Sequence, residues 1–303
     1  MTDNTNTITC SSATSPIDIN MNNIMGPCVL KCDYNYEYGI YSPNITNNRS
    51  YLSLNYSGKS RPVKYNDSKY DVQTIRIYQP SLHTYNGVKA DGEIFILHNG
   101  PGKNLIVSIP IKVGGKTDKG STQLASVITE AALRTPNDGE SVTYSLGNFS
   151  LDNFIPNKKG FFSYTGTLPF DTCNGTYSYV IYNIDDSLQI SHEVLNKLKQ
   201  ITRTTVCDTK ENISFYNKHG ANTHGQDLDN IYIDCQPVNE EGELMINEGQ
   251  VETRTNTIVP SISSDKVDSL LTILAIAAVS GGIIFGGWYI IKKLRSRAAT
   301  TST

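Results

Sequence analysis

Five histidines (His83, His98, His192, His219 and His224) and six cysteines (Cys10, Cys28, Cys32, Cys173, Cys207 and Cys235) are the side chains of this 303-residue chain best suited to hold a metal or attack a substrate. Strand- or helix-borne metal donors betray themselves as H-x-H, H-E-x-x-H or C-x-x-C, because those spacings turn two ligands to one side. None of these patterns occurs. The strained G-x-S-x-G turn of a serine nucleophile is absent too. His219 and His224 fall in a polar stretch. The basic residues Lys112, Lys116 and Lys119 share one glycine-rich run, KVGGKTDK. Residues 1–235 hold 20 Lys and Arg against 22 Asp and Glu, so no global field draws nucleic acid or another polyanion. An anion site here must be a local patch.

Any such residues need elements to hold them. YLSLNY (51–56), QTIRIY (73–78), EIFILH (93–98), LIVSIPI (105–111) and YSYVIY (177–182) alternate with period two and are rich in β-branched and aromatic residues, which predicts strands. STQLASVITEAALR (121–134) and SHEVLNKLKQI (191–201) carry helical spacing. A mainly β (α+β) domain over residues 10–235, preceded by a tail at 1–9, is long enough for one substantial core. No internal repeat is visible.

The ends differ from this domain. Residues 236–269 are acidic and polar, with the Ser/Thr/Asn-rich run 253–264, and read as a solvated stalk. Residues 270–291 carry no charge and, at ~1.5 Å per residue, are long enough to cross a ~30 Å hydrocarbon core. Trp288 and Tyr289 sit where an interfacial pair belongs, and Lys292, Lys293, Arg295 and Arg297 open a basic tail, 292–303, expected on the inner side. The Gly282/Gly286 spacing permits a homo-oligomer through this helix. Met1 to Asn20 shows no basic and apolar signal segment, so a tail-anchored protein is expected. Seven N-x-S/T sequons and paired cysteines point instead to an oxidising compartment. Cys28 and Cys32, if extended, lie ~13 Å apart, beyond disulfide reach.

Five ordered segments carry a family resemblance: SPIDIN (15–20), NNRSYLSLNY (47–56), YDVQTIRIYQPS (70–81), GEIFILHN (92–99) and FSYTGTLPFDTCNGTYSY (162–179). Together they resemble the α-type carbonic anhydrases over roughly residues 10–236. That resemblance implies the family's large twisted central sheet with a few short helices. It places the paired zinc histidines at Arg76 and Tyr78, the third at Phe95, the proton shuttle at Ser50, the nucleophile-orienting threonine at Pro169 and its carboxylate partner at Leu82. A catalytic zinc needs three lone-pair donors and an open position for water. Guanidinium and phenyl supply no lone pair, so neither cofactor nor anhydrase activity is expected. Glu93, His83 and His98 match the family's second-shell glutamate and structural histidines. Extracellular members join the cysteines at the positions of Cys10 and Cys173; Cys207 and Cys235 are left for a second bridge.

The combination of lost ligands, a C-terminal membrane helix and no signal segment resembles the zinc-free anhydrase-like membrane proteins of poxvirus virions, which bind chondroitin sulfate. A virus that matures membrane proteins in the cytoplasm with its own thiol oxidation would reconcile the missing signal with paired cysteines. The resemblance implies attachment of a virion to host cell-surface glycans, with Arg76, Arg49, Arg61 and Lys64 as candidate ligands gathered on the former active-site side. Two alternatives use the same fold: a protein-binding receptor-like module and a structural virion membrane protein.

Overall fold

The computed structural model describes residues 5–8, 12–28, 32–145, 147–170 and 173–223, the first and last few by backbone alone. All belong to the compact unit Met1–Asn230. The predicted stalk, membrane helix and basic tail lie outside these residues. Among the described residues no helix is long and apolar enough to cross a membrane.

Ten strands form the path of the main sheet: β1 (Ile24–Pro27), β2 (Asn44–Asn47), β3 (Leu52–Leu54), β4 (Ser68–Tyr78), β5 (Gly92–Gly100), β6 (Lys103–Val113), β7 (Ser141–Thr143), β8 (Phe161–Gly166), β9 (Tyr177–Tyr182) and β10 (Ser214–Asn217). Their order across the sheet is β7-β2-β3-β4-β5-β6-β9-β8-β10-β1. The pairing β6–β9 is parallel, whereas β4–β5–β6 is an antiparallel centre. Each of the five alternating segments falls on one of these strands. The two predicted helices are α1 (Lys119–Arg134) and α2 (His192–Ile201).

Alternation splits the interior into two cores, because successive side chains of a strand point to opposite faces. Ile75 and Ile77 of β4, Ile94 and Ile96 of β5, and Leu105, Val107 and Ile109 of β6 face a large core roofed by Leu124, Val127 and Ile128 of α1 and Leu195 and Leu198 of α2. The intervening residues, Tyr78, Phe95, Leu97 and Ile106, face a second core closed by Ile17, Ile19, Phe162, Tyr164 and Phe170. Gly120 is required where α1 meets the 3-10 turn Leu151–Asn153: a Cβ there would sit 2.1 Å from the carbonyl oxygen of Asn153.

Three expectations need correction. Thr5–Ile8, assigned to a tail, pairs in parallel with Thr204–Cys207, so the domain begins earlier than residue 10. Cys28 and Cys32 are bonded, with Cα atoms 5.8 Å apart and so within disulfide reach, not at the ~13 Å of an extended run. Cys207 is a buried free thiol, its sulfur 3.7 Å from the Pro169 carbonyl oxygen, which removes the expected bridge to Cys235. Cys173 is disulfide-bonded. The partner expected for it, Cys10, lies outside the described residues.

Candidate functional site

The register of β4 and β5 sets Phe95 directly beside Arg76, and Glu93 beside Tyr78. All three positions that the family resemblance assigns to zinc ligands therefore converge on one face of the sheet centre, and the side chains there fill it. Tyr78 and Phe95 are 1% and 0% exposed, and Phe170, from the segment after β8, covers them at 3%. The Tyr78 ring stacks on Phe170 at 5.8 Å and meets Phe95 edge-on at 5.8 Å. Arg76 is partly buried between two rings, 4.6 Å from the Tyr51 centroid and 4.4 Å from that of Phe170, and donates a 3.3 Å hydrogen bond to the Tyr78 hydroxyl. A guanidinium flanked by two aromatic faces is held by the ring quadrupoles.

These residues do not fit a zinc ion. Arginine and phenylalanine have no lone pair to give, the phenol accepts from the guanidinium, and a fixed positive charge occupies the place a cation would need. The surroundings of the family's nucleophile have changed likewise. Pro169 has no hydroxyl and offers its carbonyl to Cys207. Leu82 is fully buried and offers only backbone groups, its N–H donating to Glu93 and its carbonyl accepting from the Lys89 ammonium. Among the described residues no group of three or more His, Cys, Asp or Glu side chains stands close enough to hold a metal elsewhere.

The buried polar residues around this site are hydrogen-bonded. Glu93 is buried; its Oε1 accepts from His83 Nδ1 at 2.6 Å and from the Ser108 hydroxyl, while Oε2 accepts from the Leu82 and His83 amides at 2.7 and 3.0 Å. Burial alone would raise its pKa, but the charge and hydrogen bonds of His83, with those of Ser108, outweigh it and hold the carboxyl below its ordinary value. His83 reaches on to the Tyr164 hydroxyl at 2.9 Å. His98 is also wholly buried: Nδ1–H donates to the Leu105 carbonyl at 3.3 Å, leaving Nε2 to accept from Tyr38 at 3.0 Å. Burial pushes its pKa down to about 4, against the upward pull of the Leu105 and Ile96 carbonyls. Both histidines are satisfied core residues, as their resemblance to structural positions implied.

The four predicted ligand-binding residues are not brought together as one patch. Arg49 occupies the turn between β2 and β3, whose residue Ser53 pairs with Arg76, so these two are near each other. Lys64 pairs in register with Lys69, seven residues before Arg76, which at ~3.3 Å per residue is about 23 Å away. Arg61 lies at Asp71, which accepts its amide at 2.7 Å. Both are also matched by acids, Arg61 by Asp71 and Lys64 by Asp67 at 2.9 Å. The reason is strand length: β4 is long enough to carry its two ends to opposite sides of the domain. Sequence reading missed Arg203. Its N–H donates to the Arg49 carbonyl, which places it beside the same turn. No motif marks it, since the contact joins residues far apart in the chain.

The basic KVGGKTDK run borders a different cleft, of about 340 Å³, between the start of α1 and residues 152–157 and 186–188. There Lys116, Lys119 and Lys159 are offset by Asp118, Asp152 and Asp186. Asp118 caps α1, and Lys159 pairs with Asp186 at 3.3 Å. The cleft thus lacks the excess of positive charge that a polyanion needs.

Comparison with known proteins agrees with this architecture. No curated protein matches the sequence. Among solved structures, dioscorin complexed with ascorbate aligns with a TM-score of 0.57 at 19% identity, covering 69% of this chain and 87% of that one. The α-carbonic anhydrase of Photobacterium profundum aligns at 0.57 and 15% identity, covering 69% and 90%. The enzyme of Thermovibrio ammonificans, in complex with sulfanilamide, aligns at 0.53 and 18% identity, covering 69% and 88%. At these identities the likeness establishes the fold alone. The family model of the eukaryotic-type carbonic anhydrases matches residues 4–227, most of the chain and all of its described part. On that match the chain belongs to the eukaryotic-type carbonic anhydrase family.

Proposed function

We propose that this protein is a non-catalytic member of the family, anchored in a virion membrane by residues 270–291, that attaches the particle to sulfated glycosaminoglycans such as chondroitin sulfate on the host cell surface. The observation that carries this proposal is the replacement of a metal cradle by Arg76 held between Tyr51 and Phe170, beside Tyr78 and Phe95. That arrangement removes the donors for zinc and puts a fixed cation at the centre of the family's binding face. A cation braced by aromatic rings suits a sugar chain, whose apolar faces stack on rings while its sulfates take charge-assisted hydrogen bonds. Arg49 adds a second positive group at the rim; Arg61 and Lys64 do not contribute to this face.

The test is binding of the full chain, kept soluble in detergent, to chondroitin sulfate, heparan sulfate and an uncharged glycan at two salt concentrations. Binding confined to a sulfated chain, falling steeply with salt and weakened about tenfold or more by Arg49→Ala, is expected. Binding that ignores salt, or none at all, contradicts the proposal. A protein partner is the alternative favoured by Met25, Ile213 and Phe215, exposed by 69%, 53% and 40% around the pairing of β1 with β10. Salt-insensitive capture of a host protein is its signature.

A further inference from the structure

Arg203 follows α2, and its neighbourhood is built more rigidly than a surface loop requires. Asn47, buried at the end of β2, is the hub: its Nδ2 donates to the carbonyls of Thr135, Pro136 and Ile201 at 3.0, 3.2 and 3.0 Å, and its Oδ1 accepts from the Arg49 amide at 2.8 Å. The Thr205 hydroxyl then donates to the Ser50 carbonyl at 3.0 Å, and the Arg203 amide to that of Arg49. These bonds clamp the turn carrying Arg49 to the segment carrying Arg203.

Two features of the clamped pair lack a structural purpose. Arg49 is held at φ +59°, a left-handed conformation costly for a residue with a side chain, yet that side chain is exposed and makes no hydrogen bond or ion pair among the described residues. The Arg203 Nε–H is buried without any hydrogen-bond partner. A shielded, unpaired donor on a cation is unfavourable, and such groups are rare unless something outside the chain completes them. Glu140 is close by, its carbonyl accepting from the Asn47 amide, but its carboxylate is bonded to Asn137. No acid among the described residues pairs with either arginine.

We infer that Arg49 and Arg203 form an oxyanion clamp, in which the Arg203 side chain turns outward so that its Nε and Nη edges grip a sulfate or carboxylate that Arg49 also holds. The fork of a guanidinium matches such a group with two parallel hydrogen bonds, and the turn satisfies the orphaned Nε. This deepens and rests on the glycan-binding proposal by naming where the acidic group of the sugar docks. Arg203, not Arg61 or Lys64, is then the partner of Arg49.

The test uses the full chain in detergent, with Arg203→Gln, Arg203→Lys, Arg49→Gln and the double Gln variant. The probes are chondroitin 4-sulfate, unsulfated chondroitin, and sodium sulfate against sodium chloride at matched ionic strength. Arg203→Gln is expected to fold as well as the parent, since it removes an unsatisfied donor, and to weaken chondroitin 4-sulfate by about tenfold. Arg49→Gln should cost as much, with the double variant little worse than either, because both hold one anion. Arg203→Lys should rescue only partly, having charge without the fork. A loss confined to the sulfated chain assigns a sulfate ester; an equal loss on unsulfated chondroitin assigns the sugar carboxylate. If the parent binds no glycan but sulfate raises its melting temperature and Arg203→Gln abolishes that rise, the clamp stands and glycan attachment fails. Parent-like binding by Arg203→Gln, or additive losses in the double variant, overturns the clamp and leaves the glycan proposal intact.

Discussion

His98 shows how a single buried side chain sets the acid response of the domain. Its pKa of about 4 in the fold lies below the ordinary 6.5, so it stays neutral where the unfolded chain takes up a proton. The stability associated with this histidine is complete above pH 6.5, is lost as pH falls from 6.5 to 4, and amounts to about 3 kcal/mol. Glu93, also held below its ordinary value of 4.5, adds a loss of the same sign at still lower pH. Urea unfolding at pH 7.5, 5.5 and 4 measures this, and His98→Gln is expected to flatten the upper part of the slope. Glu93→Gln leaves His83, Ser108 and two amides facing a poorer acceptor and is expected to cost about 3 kcal/mol at pH 7; a loss under 1 kcal/mol would contradict the network. The identities of Arg76, Tyr78 and Phe95 were legible in the sequence, since their neighbours keep the family pattern. That Phe170 closes over them was not, because nothing in its local sequence says which strand it will cover.

Helices and strands were the easiest features to read, because they bury one face and so impose a period. α1 illustrates it: Leu124, Val127, Ile128 and Ala131 recur at helical spacing and all are buried. Its start rests on Asp118, whose carboxylate accepts from the Ser121 amide at 2.8 Å. Asp118→Ala should lower the unfolding free energy by about 1 kcal/mol; no change would show that the cap is idle. Short strands such as β7 escaped detection, having too few residues for alternation to register. The Cys28–Cys32 bridge escaped because spacing alone supplies only the ~13 Å of an extended run, whereas the two Cα atoms lie 5.8 Å apart. Closing so short a loop limits the entropy removed from the unfolded chain, so Cys28→Ser with Cys32→Ser should cost about 2 kcal/mol, less than loss of a bridge over a long loop. Denaturation of the oxidised parent and the double variant compares the two.

At the scale of the molecule the two cores on either side of the sheet differ in what they hold. The core beneath α1 and α2 is aliphatic and tyrosine packing, while the opposite one holds Tyr78 and Phe95, two of the three positions that the family resemblance assigns to zinc ligands. Charge reading failed at this scale. Arg61 and Lys64 are near Arg49 in sequence, yet β4 carries them about 20 Å from Arg76, whereas Arg203 arrives beside Arg49 through long-range pairing. With a formal net charge of −3, the proposed binding to a sulfated chain must depend on those few arginines, which is why single substitutions are expected to be decisive. The most direct test of the account is zinc content after dialysis of the full chain against excess zinc and then buffer, read by atomic emission. A content below about 0.1 zinc per chain is predicted, because no lone-pair donor remains at the positions of Arg76 and Phe95. About one tightly held zinc per chain would contradict it and return the protein to the enzymes of its family.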